Sequence, residues 1–400
     1  MMKRSSRLAG AVAVAITFFL ATFPATAQPV TFDCKLITIT VATTPGGGYD
    51  IYARRLAQYL PKYLPGSPRI NVRNMPGAGG VVLANHLYNL APKDGTEIAA
   101  FEAGTAFTPI LNGAEVSFEP SKFGWLGSLD RFVPMIIVWR DKPFYKFEDV
   151  RQKPLSTPGS GVGSTTAGYP YSLNAFLGTK LKVVNGYPGS AESILAMERG
   201  EVDGYSSWCW DCLKREKPHW VPEGHVRVLA QLSFTGDPEL SAMGVPSLAE
   251  LATTPEQKDM LGLIFAPANF GRPFVAPPGL PTPVLGAWRE AFRAAAHDAG
   301  LAADLEKARS VVRYDGPEVV QKLFATADAL DAPTLDRLRA ASSGALEAKR
   351  TSGSPGLSPA HSSIHHHIRA NSAAVITKFI TEMPVRSDDT GSFFAAMAPT

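Results

Sequence analysis

A chain of 400 residues, 45% of them hydrophobic, has enough material for two domains with large cores, and 35 glycines and 33 prolines imply many loops. Its formal charge of +3 is matched by Lys3, Arg4 and Arg7, with no acid before residue 28. The rest of the chain therefore sums to zero, a poor surface for nucleic acid or an anionic membrane.

Those three basic residues precede an apolar run from Leu8 to Phe23 and the ending Ala25-Thr26-Ala27. This is the pattern of a cleavable secretory signal over 1–27, and the run is too short for a membrane anchor. Thr31-Phe32-Asp33 before Cys34 lacks the small residues of a lipoprotein processing site. The expectation is a soluble, exported protein.

Ile37 to Val41 is β-branched and uncharged, which predicts a strand buried on both faces, as in a parallel sheet. The glycines Gly46, Gly47 and Gly48 follow, then a helix from Ile51 to Leu60 with Ala53, Leu56, Ala57 and Leu60 on one face. Asp50 reads as its N-cap and Pro61 as its stop. The glycines leave the first helical N–H groups uncovered, so they form an anion site unless the loop is an ordinary glycine-rich turn. Ile51 stands where a dinucleotide fingerprint needs a third glycine, and no Gly-Lys-Ser/Thr follows, so neither phosphate motif is met.

The α/β alternation continues with a strand from Arg69 to Val72, the loop Asn74 to Gly80, a helix from Val81 to Leu90, and a strand from Glu97 to Phe101. The small-residue loop Ala103-Gly104-Thr105 follows. Strand ends that repeatedly meet such loops build a ligand crevice in open α/β sheets. Leu155 to Thr166 echoes the first glycine loop and precedes a helix from Tyr171 to Leu177. Asn185 to Ser190 then leads to a helix over Ala191 to Arg199. Two such loops about a hundred residues apart suggest two lobes, with the long apolar strands at 132–139 and 226–232 as the crossings between them. A helix from Val284 to Ala296 belongs to the return into the first lobe.

From Lys35 to Ala340 the chain resembles the periplasmic solute-binding proteins of tripartite tricarboxylate transporters, the Bug or TctC-like group. The resemblance lies in Pro45-Gly-Gly-Gly-Tyr-Asp-Ile-Tyr-Ala-Arg54, Asn74-Met-Pro-Gly-Ala-Gly-Gly80, Pro92-Lys-Asp-Gly95, Gly161-Val-Gly-Ser164 and Tyr187-Pro-Gly-Ser190. It implies a bilobal α/β periplasmic-binding-protein (Venus-flytrap) fold, two lobes joined by two crossing strands. Lobe 1 would be 28–134 plus 233–340 and lobe 2 135–232. It further implies a small organic acid held between β–α loops, with Gly47, Gly48, Tyr49 and Asp50 facing Gly161, Gly163, Ser164 and Thr165. Ala103, Gly104, Thr105, Tyr187 and Gly189 would line the cleft. The group often has Thr at the position of Tyr49 and an acid near Ser207, so Ser207 is a further candidate contact, and Tyr49 would narrow the pocket or stack on an aromatic acid. The implied partners are TctA/TctB-like membrane subunits, the implied setting is the periplasm, and the expectation is a monomer with no cofactor and no metal.

Neutral donors suffice for such a ligand. Charge-assisted hydrogen bonds of about 1.5 to 3 kcal/mol each offset an association cost of several kcal/mol, enough for a micromolar complex near about −8 kcal/mol. On this reading no buried arginine is required. The rival classes are a ligand sensor docking to a receptor kinase and an exported hydrolase. The chain has no Gly-x-Ser-x-Gly or His-Glu-x-x-His, and His86, His219, His225 and His297 are scattered. Cys209-Trp-Asp-Cys212 has redox-pair spacing, but without a thioredoxin-like context a local disulfide or two quiet thiols is the stronger reading. Residues 341–400, rich in Ser, Gly and Pro with His365, His366 and His367, read as a disordered extension.

Overall fold

The computed structural model describes residues 30–111, 116–161 and 164–344. The expected leader, Gly163 and nearly all of the expected extension lie outside the described residues. Among those described, no helix is long and apolar enough to cross a membrane.

The strands in chain order are β1 (Leu36–Val41), β2 (Arg69–Asn74), β3 (Glu97–Ala100), β4 (Gly124–Ser128), β5 (Pro134–Trp139), β6 (Leu155–Gly159), β7 (Leu181–Asn185), β8 (Gly204–Cys209), β9 (Val226–Gln231) and β10 (Pro273–Ala276). A five-stranded sheet runs β2-β1-β3-β10-β4, with β1 parallel to both neighbours and β10 antiparallel to both of its own. The parallel pairing of the buried β1 follows from its uncharged, two-faced apolar run. The helix Thr282–Ala296 covers this sheet through Trp288, Ala291, Phe292, Ala295 and Ala296, the one-sided spacing of an amphipathic helix. Trp288 pairs its only polar atom, donating Nε1–H to the Gly95 carbonyl at 3.0 Å.

The second half builds an antiparallel sheet, β8-β5-β9, and the parallel pair β6-β7. The apolar strands expected as crossings, β5 and β9, are thus neighbours in one sheet. The core beside them takes in Leu248, Leu251, Met260, Leu261, Ile264 and Phe265 from the segment after β9, and Leu338 from the helix Ala332–Ser342. Backbone bonds tie the segment before β5 to the segment before β10: Leu129 N–H to the Arg272 carbonyl, Phe132 N–H to the Ala268 carbonyl, and Gly271 N–H to the Asp130 carbonyl.

Most helix bounds match the periodicity, with two differences. Gly47, not Asp50, is the N-cap of Gly48–Tyr59, and Asp50 sits inside the first turn with Oδ2 accepting from Gly46 N–H at 2.9 Å. The helix expected from Tyr171 begins at Thr165, because Ser164 caps it by accepting from Ala167 N–H, and it carries Pro170 inside.

Candidate functional site

A cleft of about 630 Å³, open mouth included, lies where the first glycine loop faces the second half of the chain. From the first half come Thr43, Gly47, Gly48, Tyr49, Glu102 and Phe132, and Arg272 reaches in just ahead of β10. Across from them stand Ser160, Thr165, Thr166, Gly189, Ser190, Tyr205, Ser207 and Trp208. The opposing loops touch: Thr44 Oγ1 donates to Glu192 Oε2 at 3.2 Å, and a Cβ at Gly189 would collide with Thr44 Oγ1. Only glycine fits there.

Of the residues expected to bind, Gly47, Gly48, Tyr49, Thr165, Gly189 and Ser207 line this cleft. Asp50 does not. It fastens the loop from behind, accepting from Arg54 Nε at 2.8 Å and Asn74 Nδ2 at 2.9 Å. Ala103 N–H donates to the Tyr49 hydroxyl at 2.9 Å, and Thr105 Oγ1 donates to the Gly79 carbonyl at 3.0 Å, so both brace the site rather than face it. Gly104 and Ser164 line a smaller adjoining space beside Thr165 and Tyr169. Gly161 lies against the loop at Ala78, and the Tyr187 hydroxyl turns outward to Glu201. Gly163 lies outside the described residues.

Ser207 is set by a bulge. β8 slips register against β5 between Met135 and Ile136, leaving Ser207 unpaired in the ladder with φ +76°. Such a conformation is costly for a residue with a Cβ and is characteristic of re-aimed side chains at functional sites. Its Oγ is buried and has no hydrogen-bond partner among the described residues, and the same is true of Thr43 Oγ1 and Trp208 Nε1.

The largest departure from expectation is a buried arginine. Arg272 is 4% exposed, and its guanidinium lies over the rings of Tyr49 (4.5 Å to the centroid), Phe132 (5.2 Å) and Tyr52 (5.5 Å). Its Nε has no hydrogen-bond partner among the described residues. A Cβ at Gly48, the first helical residue, would stand 2.7 Å from Arg272 Nη2 and 3.2 Å from Arg215 Nη2. Two guanidinium groups therefore converge on one helix N-terminus. Burial disfavours the Arg272 charge, but Tyr49, Asp130, Tyr52 and Glu216 outweigh it and hold the group protonated above the ordinary arginine value. Arg215 bonds Glu216 at 2.6 Å, and burial still pushes the Glu216 carboxyl up against that pull.

Two further carboxyls are perturbed. Burial pushes Glu102 up to about 7 and Asp130, behind Arg272, up to about 6, the latter against the pull of Arg272 and Arg313. Arg272, Glu102, Phe132, Tyr205 and Trp208 were not among the residues read as binding from sequence.

Cys209 and Cys212 form a disulfide in the cleft wall, with Arg272 Nη2 at 3.2 Å from Cys212 Sγ. The local-disulfide reading holds, and Cys34 is exposed and free. Thiol titration of the unfolded, unreduced protein should therefore find one thiol, and three would show the pair to be open.

The fold, two α/β units with a cleft between them, is similar to that of solved periplasmic binding proteins. No protein-family model matches the chain. It is 28% identical over 267 residues to the UPF0065 protein in gbd 5'region of Cupriavidus necator, spanning 64% of this chain and 76% of that one. Its fold is similar to that of MatC from Rhodopseudomonas palustris with bound malate (TM-score 0.59, 20% identity, 76% of this chain and 98% of that one). It is also similar to the periplasmic binding protein BugD (TM-score 0.58, 22% identity, 80% and 97%). In sequence and in fold the chain resembles the Bug/TctC-like solute-binding proteins.

Proposed function

We propose that the chain is an extracytoplasmic solute-binding protein that closes on a small organic acid and delivers it to a tripartite-tricarboxylate-type membrane transporter with TctA/TctB-like subunits. One observation carries the ligand charge: Arg272 and Arg215 both approach Gly48, at the positive end of the helix Gly48–Tyr59. Glu216 bonds Arg215 and Asp130 lies behind Arg272, and an anion at the helix N-terminus would add to that compensation at the positive end of the helix. A carboxylate supplies that charge and accepts from the unpaired Nε of Arg272 and the neighbouring hydroxyls. We read the cleft as a binding site rather than an active site, as in the solute-binding proteins it resembles, with export directed by residues 1–27 and the protein acting as a monomer.

The core packing supports a lobe division that differs from the sequence-based one. Residues from about 133 to 265, with the helix Ala332–Ser342, form one lobe around β5, and the remainder forms the other around β1. Segments near 128–133 and 266–272 then act as the hinge. Contacts such as Thr44 to Glu192 and Arg215 Nη1 to Ser310 Oγ, at 3.2 Å, form only when the lobes are together. A ligand that binds both faces must shift the population toward that closed form. Small-angle scattering should show a smaller radius of gyration on saturation with the bound acid. An unchanged radius would refute the clamp.

A further inference from the structure

The charges in the cleft do not suit a simple di- or tricarboxylate. Glu102 lines it beside Tyr49 and Tyr205, is 7% exposed, and its carboxyl makes no hydrogen bond or ion pair with any described residue. Burial alone perturbs it. Arg272 does not answer it: no hydrogen bond or ion pair joins the two among the described residues, and the guanidinium sits instead with Tyr49, Asp130, Tyr52 and Glu216. An ionised carboxylate is an acceptor only, and a ligand that seals the cleft over Glu102 without donating to it leaves it expensively unsatisfied. Of the cleft-lining carboxyls, Glu216 has Arg215, so Glu102 alone is left for a ligand to satisfy.

Resting on the carboxylate reading above, we propose that the ligand is an amino acid, with its carboxylate at Arg272 and the N-terminus of the helix Gly48–Tyr59, and its ammonium group against Glu102. A second ligand carboxylate at Glu102 would add like charge in a desolvated site. A hydroxyl there would give one hydrogen bond but no compensating charge. An ammonium gives both. The rings of Tyr49, Phe132, Tyr205 and Trp208 complete the lining with π-faces suited to a cation and to an apolar side chain. A zwitterion adds no net charge to the cleft when it fills it.

Calorimetric titration with acids paired by carbon skeleton tests this. The probes are aspartate and succinate, leucine and 4-methylpentanoate, phenylalanine and 3-phenylpropanoate. In the pair that binds tightest, the amine-bearing member should bind at least tenfold tighter than its twin. Glu102→Gln should remove that preference, so that the amine-bearing member no longer binds tighter than its twin, and Glu102→Asp, which keeps the charge, should retain part of it. Melting midpoints of both variants in the absence of ligand verify folding. Equal binding of the twins, or a preference that survives Glu102→Gln, overturns the amino-acid assignment and leaves the carboxylate reading standing. No binding by any of the six acids overturns both.

Discussion

Replacing Arg272 with Met should weaken binding of the acid retained by the purified protein at least 100-fold, about 2.7 kcal/mol. Met keeps an unbranched stem of similar length but not the guanidinium that lies over Tyr49, Tyr52 and Phe132, and the melting midpoint of the ligand-free variant checks that its fold is kept. A desolvated fork contributes two charge-assisted bonds of about 1.5 to 3 kcal/mol each, and the variant loses both. Arg272→Lys keeps the charge but not the fork and should fall between, near tenfold. Gly48→Val should resemble Arg272→Met in affinity, because its Cβ would displace Nη2 from 2.7 Å. Calorimetry checks the series. Micromolar binding retained by Arg272→Met would show that backbone donors alone hold the acid.

The second large effect is on stability. The Glu102 carboxyl titrates near 7 in the folded protein against an ordinary value of 4.5, with burial as the cause. A raised folded value means that the folded state binds more protons than the unfolded state between these limits. Stability from this group is therefore full below 4.5 and falls as pH rises toward and through 7. The penalty above pH 7 is about 3 kcal/mol. Glu102→Gln removes it, so ligand-free variant and parent should differ by about 3 kcal/mol in urea melts at pH 8 and by little at pH 4.5. Asp130 titrates in both proteins and cancels from the comparison. Equal stability at pH 8 would mean that the carboxyl has a partner or a path to water.

Much of the first half was legible because its signals are local. The β-branched run of β1, the glycines after it and the amphipathic helix beyond fall within two dozen residues, and Gly47, Gly48 and Tyr49 line the cleft as expected. Gly189 belongs to a motif shared with the binding-protein group, Thr165 directly follows another, and Ser207 is a candidate only because the group often has an acid near it; all three line the cleft. Asp50 was misplaced by one turn: its acid suits a cap, but Gly47 takes that position and Asp50 closes the loop from the third helical position. The helix at Thr165 was read six residues late, since Gly161 to Thr166 has the composition of a loop and its cap, Ser164, lies inside that run.

Arg272 escaped notice for a different reason. It lies far along the chain from every glycine loop, and only β10, pairing antiparallel with β3 and β4, brings it beside Gly48. A signal was present all the same. Arg272 is the one charge between Leu261 and Leu280, and a charge in so apolar a run must be buried with partners. Glu102 directly precedes the Ala103-Gly104-Thr105 loop that was singled out, so its burial could have been inferred from the end of β3. The lobe assignment of the segment after β9 had no comparable cue, because apolar helices such as Pro255–Phe265 pack equally well on either sheet and tertiary contact decides.

On the proposed function, Arg272 and the first glycine loop hold one small acid between the lobes. Native mass spectrometry of full-length protein purified without unfolding, compared with its Arg272→Met variant, tests it most directly. The parent should carry one small adduct per chain, released on unfolding as an acid, and the variant should carry none. An adduct retained equally by both proteins would contradict the account, as would a parent that carries nothing and takes up no acid on incubation.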